Sequence, residues 1–340
     1  TILIFLNLFN NLLYKKSTYK SITILLIVLL CVSFFVNIGL GSVSISLKEI
    51  FLTIIGHQEN YIIQHYRLPK AFTAVLAGSG LGISGLLMQT LFRNPLAGPF
   101  VLGISSGASL GVAIVILGSS LMGGFLATVF ISKWSIVIAA SLGSFIVLLA
   151  VMIVAAKIRD TMAILIIGLM FGSITVALVS VLSYFSSAEL IQQYVFWGFG
   201  NLGNLTWYEV VIFFSIYAVG IVLSMMSMKN LNTLLLGENY AKSLGLNVKK
   251  SRFIIIIATC LLAGSVTAFA GPIAFIGLAV PHIARQIFNT SNHKILLPSV
   301  FIIGSIVMLI CDSISQLPSS DYTLPINAIT SLFGAPVVIW

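Results

Sequence analysis

Residues 68–91 read LPKAFTAVLAGSGLGISGLLMQTL and contain a single charged side chain, Lys70. Because an α-helix rises about 1.5 Å per residue, a helix over this segment would be roughly 36 Å long. The hydrocarbon core of a bilayer is about 30 Å thick. The segment therefore predicts a membrane-spanning helix. Within it, Gly78 and Gly82 lie four residues apart, a spacing that lets two helix backbones approach closely in lipid.

The rest of the chain has the same character. Of its 340 residues, 59% are apolar and 7% are charged, whereas a soluble domain is about 25% charged. This composition excludes a soluble globular enzyme and predicts an all-α integral membrane protein of about ten transmembrane helices. We expect residues 1–20 to form a cytoplasmic or interfacial lead and residues 21–340 a single transmembrane domain. The predicted spans are residues 21–40, 68–91, 99–117, 134–156, 161–184, 208–228, 252–270, 272–288, 295–316 and 323–340.

The distribution of basic residues predicts the orientation of the chain. If the N-terminus is cytoplasmic, thirteen of the seventeen Lys and Arg residues fall in cytoplasmic segments. Cytoplasmic loops of membrane proteins collect Lys and Arg, so both termini are predicted to be cytoplasmic. The net charge of +9 therefore indicates orientation and not a nucleic-acid partner. The four basic residues predicted to lie outside are Lys48, Arg67, Lys70 and Lys133.

The predicted spans contain almost no ionisable residues. Charged groups at this depth are costly, and those that occur mark ion pathways or catalytic sites. Asp312 is the one acid well inside a predicted span, and the four histidines are scattered, so we expect no catalytic residue and no metal site. The sequence also lacks a Gly-x-x-x-x-Gly-Lys-Ser/Thr phosphate loop. Energy for transport would then come from a partner or an ion gradient, and the scarcity of buried acids disfavours the gradient and a membrane-embedded enzyme.

The most polar stretch is the segment of residues 229–251, named here the coupling segment. Residues 238–244 suit one or two helical turns, and Gly245 suits a helix stop. A short helix on the cytoplasmic face is typical of a docking element for a soluble partner. An ordinary solvated loop is the alternative that these residues alone leave open.

Two similar segments indicate an internal repeat. Leu-Ala-Gly-Ser occurs at residues 76–79 and again at residues 262–265, and in each case a glycine follows six positions after the serine. The two segments are predicted to run in opposite directions across the membrane, as in the inverted repeats of transporters. The motif is short and rich in small residues, so a chance match is the alternative.

Three motifs together resemble one family. RLPK at residues 67–70 leads through the first span quoted above to RNPLAGP at residues 93–99, and GPIAFIGLAVPHIAR occupies residues 271–285. LPINAITSLFGAP follows at residues 324–336. The chain is thereby identified as resembling the FecCD-type permeases, the membrane subunits of ABC importers for iron–siderophore, haem and cobalamin. The resemblance covers about residues 20–340.

The resemblance implies the type II ABC importer permease fold in the bacterial cytoplasmic membrane. It implies a dimer, either of identical chains or of two related permeases, with the substrate pathway along its axis. Two cytoplasmic ATPase subunits would use ATP and Mg²⁺, and an extracytoplasmic binding protein would deliver the cargo. This chain would bind no cofactor and hydrolyse no ATP itself.

The resemblance also implies roles for particular residues. Arg67 and Lys70 match the basic pair that docks the binding protein, although charged residues at a helix end can also act as simple interfacial anchors. Asn94 and Leu96 match a tight turn that narrows the pathway at its cytoplasmic end, and Thr161 occupies the position of a second constriction there.

The coupling segment matches the family element that docks the ATPase. Its expected contact residues are Gly237, Glu238, Ala241, Leu244 and Gly245. One departure from the family pattern is Gln316, which stands four residues after Asp312 where an arginine is expected. The third basic contact with the binding protein is therefore in doubt, and docking would depend on Arg67, Lys70 and Lys133.

The sequence thus predicts the permease of an ATP-driven importer whose cargo is an iron chelate, either a siderophore or haem. A cobalamin importer is the first alternative. A gradient-driven secondary transporter is a second one, which would need an ion site that the spans do not offer.

Overall fold

The computed structural model describes residues 2–41, 43, 45–121, 132–155, 161–316 and 322–339. Throughout these residues the regular structure is helical, with no strand. The helices, numbered in chain order, are α1 (Ile2–Gly39), α2 (Leu47–Ile55), α3 (Leu68–Phe92), α4 (Ile104–Ile116), α5 (Lys133–Ala155), α6 (Thr161–Tyr184), α7 (Ala188–Gly198), α8 (Trp207–Met226), α9 (Met228–Leu234), α10 (Glu238–Ser243), α11 (Val248–Ala270), α12 (Ile276–Phe288), α13 (His293–Ser315) and α14 (Ile326–Ile339).

Helix α3 lies at the centre of the molecule. In the most apolar 18 residues of this span, 89% of the residues are buried, whereas the corresponding share in α6 is 17%. Three other helices, α11, α12 and α13, pack around α3. Residues 68–91 therefore form the helix that the other helices enclose. Helix α6 lies at the periphery and exposes an apolar surface.

Glycines set the distance between these helices. A Cβ atom added to Gly78 would overlap the carbonyl oxygen of Gly304 in α13, and one added to Gly85 would overlap that of Gly277 in α12. Gly107 and Gly143 make the equivalent contact between α4 and α5. Lipid chains are as apolar as leucine, so helices in a membrane associate through such close packing. The packing role predicted from the glycine spacing is confirmed.

Seven of the described helices are long and apolar enough to cross a membrane. Three further predicted spans, residues 99–117, 272–288 and 323–340, contain shorter helices, α4, α12 and α14. These have 13, 13 and 14 residues respectively. The all-helical membrane fold is confirmed, and the count of ten complete spans stays a prediction. Helix α1 also continues without a break through the predicted boundary between residues 20 and 21.

Residues 271–275, before α12, are not helical, although residues 272–275 belong to a predicted span. Phe275 there has a φ of 63°. Backbone groups inside a membrane need partners within the protein, and the side chain of Asn327 provides one. Its Oδ1 accepts from the Ala274 N–H at 3.0 Å, while its own backbone N–H donates to the Phe199 carbonyl at 3.1 Å. The asparagine of the third motif therefore holds an interrupted helix in place.

The start of α3 and the end of α11 lie at the same end of the molecule. Lys70, near the start of α3, and Ala270, the last residue of α11, line one cavity. The two helices that carry the repeated Leu-Ala-Gly-Ser motif therefore run antiparallel, as expected for an inverted repeat. The repeat itself stays a prediction.

The packing of α3 predicts that Gly85→Ala destabilises the protein. The added methyl group would force apart the backbones of α3 and α12, and overpacking of this kind costs about 1–3 kcal/mol. Thermal unfolding of the purified protein in detergent measures the effect. Gly198→Ala is the matched control, since a Cβ there meets no atom within 4 Å. Equal melting temperatures for the two variants would contradict the prediction.

Candidate gate and coupling site

Arg67 binds the end of α1. Its Nη1 donates to the carbonyl oxygens of Ile38 at 2.6 Å and Gly39 at 2.9 Å, and its Nη2 donates to that of Val43. The last carbonyls of a helix have no partner within the helix. The guanidinium group therefore satisfies the carbonyls at the end of α1 and fixes α1 to the start of α3.

Lys70 forms an ion pair with Asp312 inside the chain. The Lys70 Nζ lies 3.2 Å from Asp312 Oδ1, and the Asp312 side chain is 3% exposed. The other carboxylate oxygen, Oδ2, accepts from Asn37 Nδ2 and from Gln316 Nε2, both at 2.8 Å. Gln316, where the family pattern has arginine, thus serves as a neutral donor to the same buried acid.

Three of the four basic residues predicted to lie outside, Arg67, Lys70 and Lys133, have partners in the chain at this end of the molecule. Lys133 also forms an ion pair, with Glu209 at 2.7 Å. A cavity of about 750 Å³ opens beside these groups, lined by Lys70, Lys133 and Asp312 together with the loop after α7. The structure brings Arg67 and Lys70 to one end of the molecule, and the sequence does not show their partners. Their predicted role in docking a binding protein stays a prediction.

A tight turn follows α3 at the opposite end of the molecule. We name residues 93–97 the inner turn. Arg93 has a φ of 48°, and Asn94 Oδ1 accepts from the Leu96 N–H at 2.9 Å. The Asn94 carbonyl accepts from the Ala97 N–H at 3.0 Å, and the Leu96 side chain is 60% exposed. The turn predicted at Asn94 and Leu96 is therefore present, with a leucine projecting from it.

Helix α6 begins at Thr161, whose side chain lies outside the described part of the chain. Seven residues further on, the Gly168 backbone packs against Val101 and Leu102 in a short 3-10 helix, Pro99–Leu102, that follows the inner turn. The structure thus brings the first half of α6 close to the chain that leaves the turn. The predicted constriction at Thr161 stays a prediction.

The coupling segment folds as predicted. Helix α10 spans Glu238–Ser243, and glycines with positive φ bound it, Gly237 at 113° and Gly245 at 82°. Ala241 is fully buried, and Glu238 pairs with Arg252 in α11 at 2.7 Å. The short helix is thus fixed to the membrane domain by one small buried side chain and one ion pair.

The coupling segment and the inner turn lie side by side. A cleft of about 630 Å³ separates them, lined by Phe92 and Arg93 on one side and by residues 236–240 with Ser243 on the other. The guanidinium of Arg93 lies next to Gly237. The sequence predicted each element separately, but it gave no sign that they are neighbours, because Arg93 and Gly237 are 144 residues apart in the chain.

Three exposed apolar side chains lie at α10, and the sequence predicted a role for one of them. Leu236, Tyr240 and Leu244 are 62%, 55% and 60% exposed. Only Tyr240 lies within α10, whereas Leu236 precedes the helix and Leu244 follows it. Only Leu244 was expected to contact a partner. Apolar residues at intervals of four are present in the sequence here, but the segment is too short for this spacing alone to reveal an exposed patch.

Residues 26–340 match the FecCD transport family. This chain belongs to that family. The resemblance read from the three motifs is therefore confirmed, and the chain is a multi-pass membrane permease of the ABC importer class. The permease is similar to the vitamin B12 import system permease protein BtuC of Salmonella paratyphi A, with 35% identity over 275 residues and 81% of each chain covered. The BtuC of Salmonella typhi is 36% identical over the same length and coverage.

Two solved structures resemble the permease. One is a metal-chelate type ABC transporter in an inward-facing conformation, with a TM-score of 0.80 and 30% identity, covering 94% of this chain and 97% of the other. The second is PsaBC from Streptococcus pneumoniae in complex with Fab, with a TM-score of 0.53 and 17% identity, covering 85% and 94%. The second likeness concerns the fold alone.

Because Asp312 is buried beside Lys70, we expect removal of the lysine to destabilise the protein. Lys70→Met leaves Asp312 without a counter-charge, and loss of one partner of a buried pair costs about 3 kcal/mol. The double variant Lys70→Met/Asp312→Asn removes both charges and should recover most of the lost stability. Melting temperatures of the two variants in detergent measure the difference. If the double variant were no more stable than the single one, the ion pair would not be the cause.

Proposed function

We propose that this permease carries a metal chelate into the cell and that ATPase subunits bound to its cytoplasmic face drive the transport. The observation that carries the proposal is the shared cleft between α10 and the inner turn. A partner that moves α10 would act directly on the turn from which Leu96 projects. The element that receives the force and the element that narrows the pathway are then neighbours.

The exposed apolar side chains at and beside α10 support an ATPase partner. Leu236, Tyr240 and Leu244 would each leave a large apolar surface in water, and such a patch on a polar segment marks a protein interface. Lys242, Lys249 and Lys250 are exposed and give the same segment a positive charge. The sequence has no phosphate-binding loop, so ATP and Mg²⁺ would bind to the partner and not to this chain.

A second permease subunit would cover the exposed surface near the inner turn. Helix α6 exposes Ile166, Leu169, Met170 and Ile174, and a shallow cleft of about 350 Å³ lies on it, lined in part by Ser106, Gly168 and Gly172. Small and apolar side chains suit a wide pathway that does not hold its cargo tightly. The second subunit would be an identical chain or a related permease.

A binding protein would dock at the end that carries Arg67 and Lys70. Their internal partners do not prevent this role, because Lys70 keeps 21% of its side chain exposed. Rim charges of this kind steer the encounter and fix its register more than they add affinity. The positive-inside count then assigns the opposite end, with both termini, to the cytoplasm.

We propose an iron chelate, a siderophore or haem, as the cargo. The similarity to a metal-chelate type transporter at 30% identity supports this class. Cobalamin is the second candidate, because the similar vitamin B12 permeases share 35–36% of their residues with this chain. Iron chelates and cobalamin are both large, and spans with few charged residues would form a pathway that binds such a cargo weakly.

Reconstituted uptake tests the function. The permease is assembled in liposomes with its ATPase, and its binding protein is loaded with an iron chelate or with cobalamin. We expect uptake of radiolabelled iron chelate that requires both Mg-ATP and the binding protein. Uptake of cobalamin alone would reassign the cargo. Uptake driven by an ion gradient without ATP would contradict the proposal.

The ATPase interface gives a second test. Leu244→Ala with Tyr240→Ala should weaken binding of the ATPase about tenfold or more, since buried interface anchors contribute at least about 1–2 kcal/mol. Lys294→Ala is the control, an exposed side chain near the start of α13 and outside the coupling segment. Titration of the ATPase onto permease in nanodiscs measures the affinity. Equal affinities for the double variant and the control would remove α10 from the interface.

A further inference from the structure

A buried imidazole joins the coupling segment to the last turn of α3. His293, the first residue of α13, is 1% exposed. Its Nδ1 lies 2.8 Å from Asn232 Oδ1 in α9, and its Nε2 lies 2.8 Å from Thr90 Oγ1 in α3. Three helices that are distant in the sequence therefore meet at one side chain.

We propose that His293 is a positioning residue that transmits movement of the coupling segment to the inner turn. The proposal rests on the proposed function, because it concerns how a force applied at α10 reaches the pathway. It adds a route that runs through the protein interior, separate from the open cleft between α10 and the turn.

The contact on the coupling segment has a fixed polarity. The backbone N–H of His293 donates to Asn232 Oδ1 at 2.9 Å, so this atom of the amide is the oxygen and accepts. The Asn232 Nδ2 donates to Asn292 Oδ1 at 3.1 Å, which agrees with the same orientation. Because an amide oxygen cannot donate, the imidazole carries its proton on Nδ1. Two donors from one histidine therefore hold the side chain of Asn232.

The contact on α3 follows from that tautomer. With the proton on Nδ1, the Nε2 of His293 accepts from the hydroxyl of Thr90. The Thr90 hydroxyl is also 2.8 Å from the Leu86 carbonyl. In this tautomer of His293, the single hydroxyl proton of Thr90 is donated to Nε2. Thr90 is 2% exposed, so water does not compete for these groups.

Thr90 is directly bonded to the inner turn. Its carbonyl accepts from the Arg93 N–H at 3.3 Å, and the carbonyl of Gln89 accepts from the Asn94 N–H at 3.1 Å. The Gln89 side chain is held in turn, because Arg285 Nη1 donates to its Oε1 and its Nε2 donates to the Leu278 carbonyl at 3.2 Å. An unbroken series of hydrogen bonds thus runs from Asn232 through His293 and Thr90 to the first residue of the turn.

Removal of one hydroxyl group tests the proposal. Thr90→Val keeps the shape of the side chain and removes the bond to His293, while Thr90→Ser keeps the hydroxyl. Thr73→Val is the matched control, since Thr73 is also buried in α3 but its hydroxyl bonds only to the Pro69 carbonyl in the same helix. The measurement is the number of cargo molecules taken up per ATP hydrolysed by the full transporter in liposomes.

We expect Thr90→Val to lower this ratio on the order of fivefold, which is within the effect of one lost hydrogen bond. Thr90→Ser and Thr73→Val should keep the wild-type ratio. A purely structural role of the bond would lower the melting temperature, and with it uptake and hydrolysis together, at an unchanged ratio. That result, or equal ratios for Thr90→Val and Thr73→Val, would overturn the proposal.

A second variant covers a failure of Thr90→Val to accumulate in the membrane. Asn232→Ala removes the other end of the bridge and is judged by the same ratio, with the expected fall and the overturning result unchanged. Failure of the proposed function is distinguishable, because the wild-type transporter would then show no uptake dependent on ATP. Failure of the bridge alone would leave wild-type uptake intact.

Discussion

The backbone of α3 touches the backbone of α12 at Gly85 and that of α13 at Gly78, and these contacts fix the distances between the central helices. Within a bilayer the hydrophobic effect does not hold helices together, because the surrounding lipid is equally apolar. Close van der Waals contact and hydrogen bonds between helices must replace it. The position of each polar group described above depends on the spacing that these glycines allow.

The polar side chains at the two ends of α3 form different kinds of contact. At one end, Asp312 forms an ion pair with a lysine and accepts hydrogen bonds from an asparagine and a glutamine. A charge that would be costly in lipid is thereby paired and hydrogen-bonded. At the other end the groups are mainly neutral, and Thr90, His293 and Asn232 satisfy one another. The first arrangement ties α1, α3 and α13 together, and the second ties α3 and α13 to the coupling segment.

The end of the molecule that carries the inner turn therefore contains two connections between this turn and the coupling segment. One is the open cleft in which Arg93 lies beside Gly237, and the other is the buried series through His293. A cleft can change its volume with little cost, whereas the buried series has no water to replace a broken bond. Movement of α9 and α10 relative to α3 must then carry the turn along or break a buried hydrogen bond.

The sequence by itself determined the helical membrane fold, the family, the turn at Asn94 and the helix stop at Gly245. These features depend on local composition, on hydropathy and on the conformational preferences of glycine and proline, which act over a few residues. The sequence also predicted a span at residues 272–288, where hydropathy alone does not reveal that residues 272–275 are not helical. The interruption is held by Asn327, a partner 53 residues away in the chain.

Only the tertiary structure decided which groups are partners. Lys70 and Asp312 are separated by 242 residues, and Thr90 and His293 by 203. No local pattern distinguishes a lysine that faces a binding protein from one that faces a buried carboxylate, since both occur at the end of an apolar helix. Pairing across such separations is set by how the helices pack, and that packing is decided by the backbone contacts around α3.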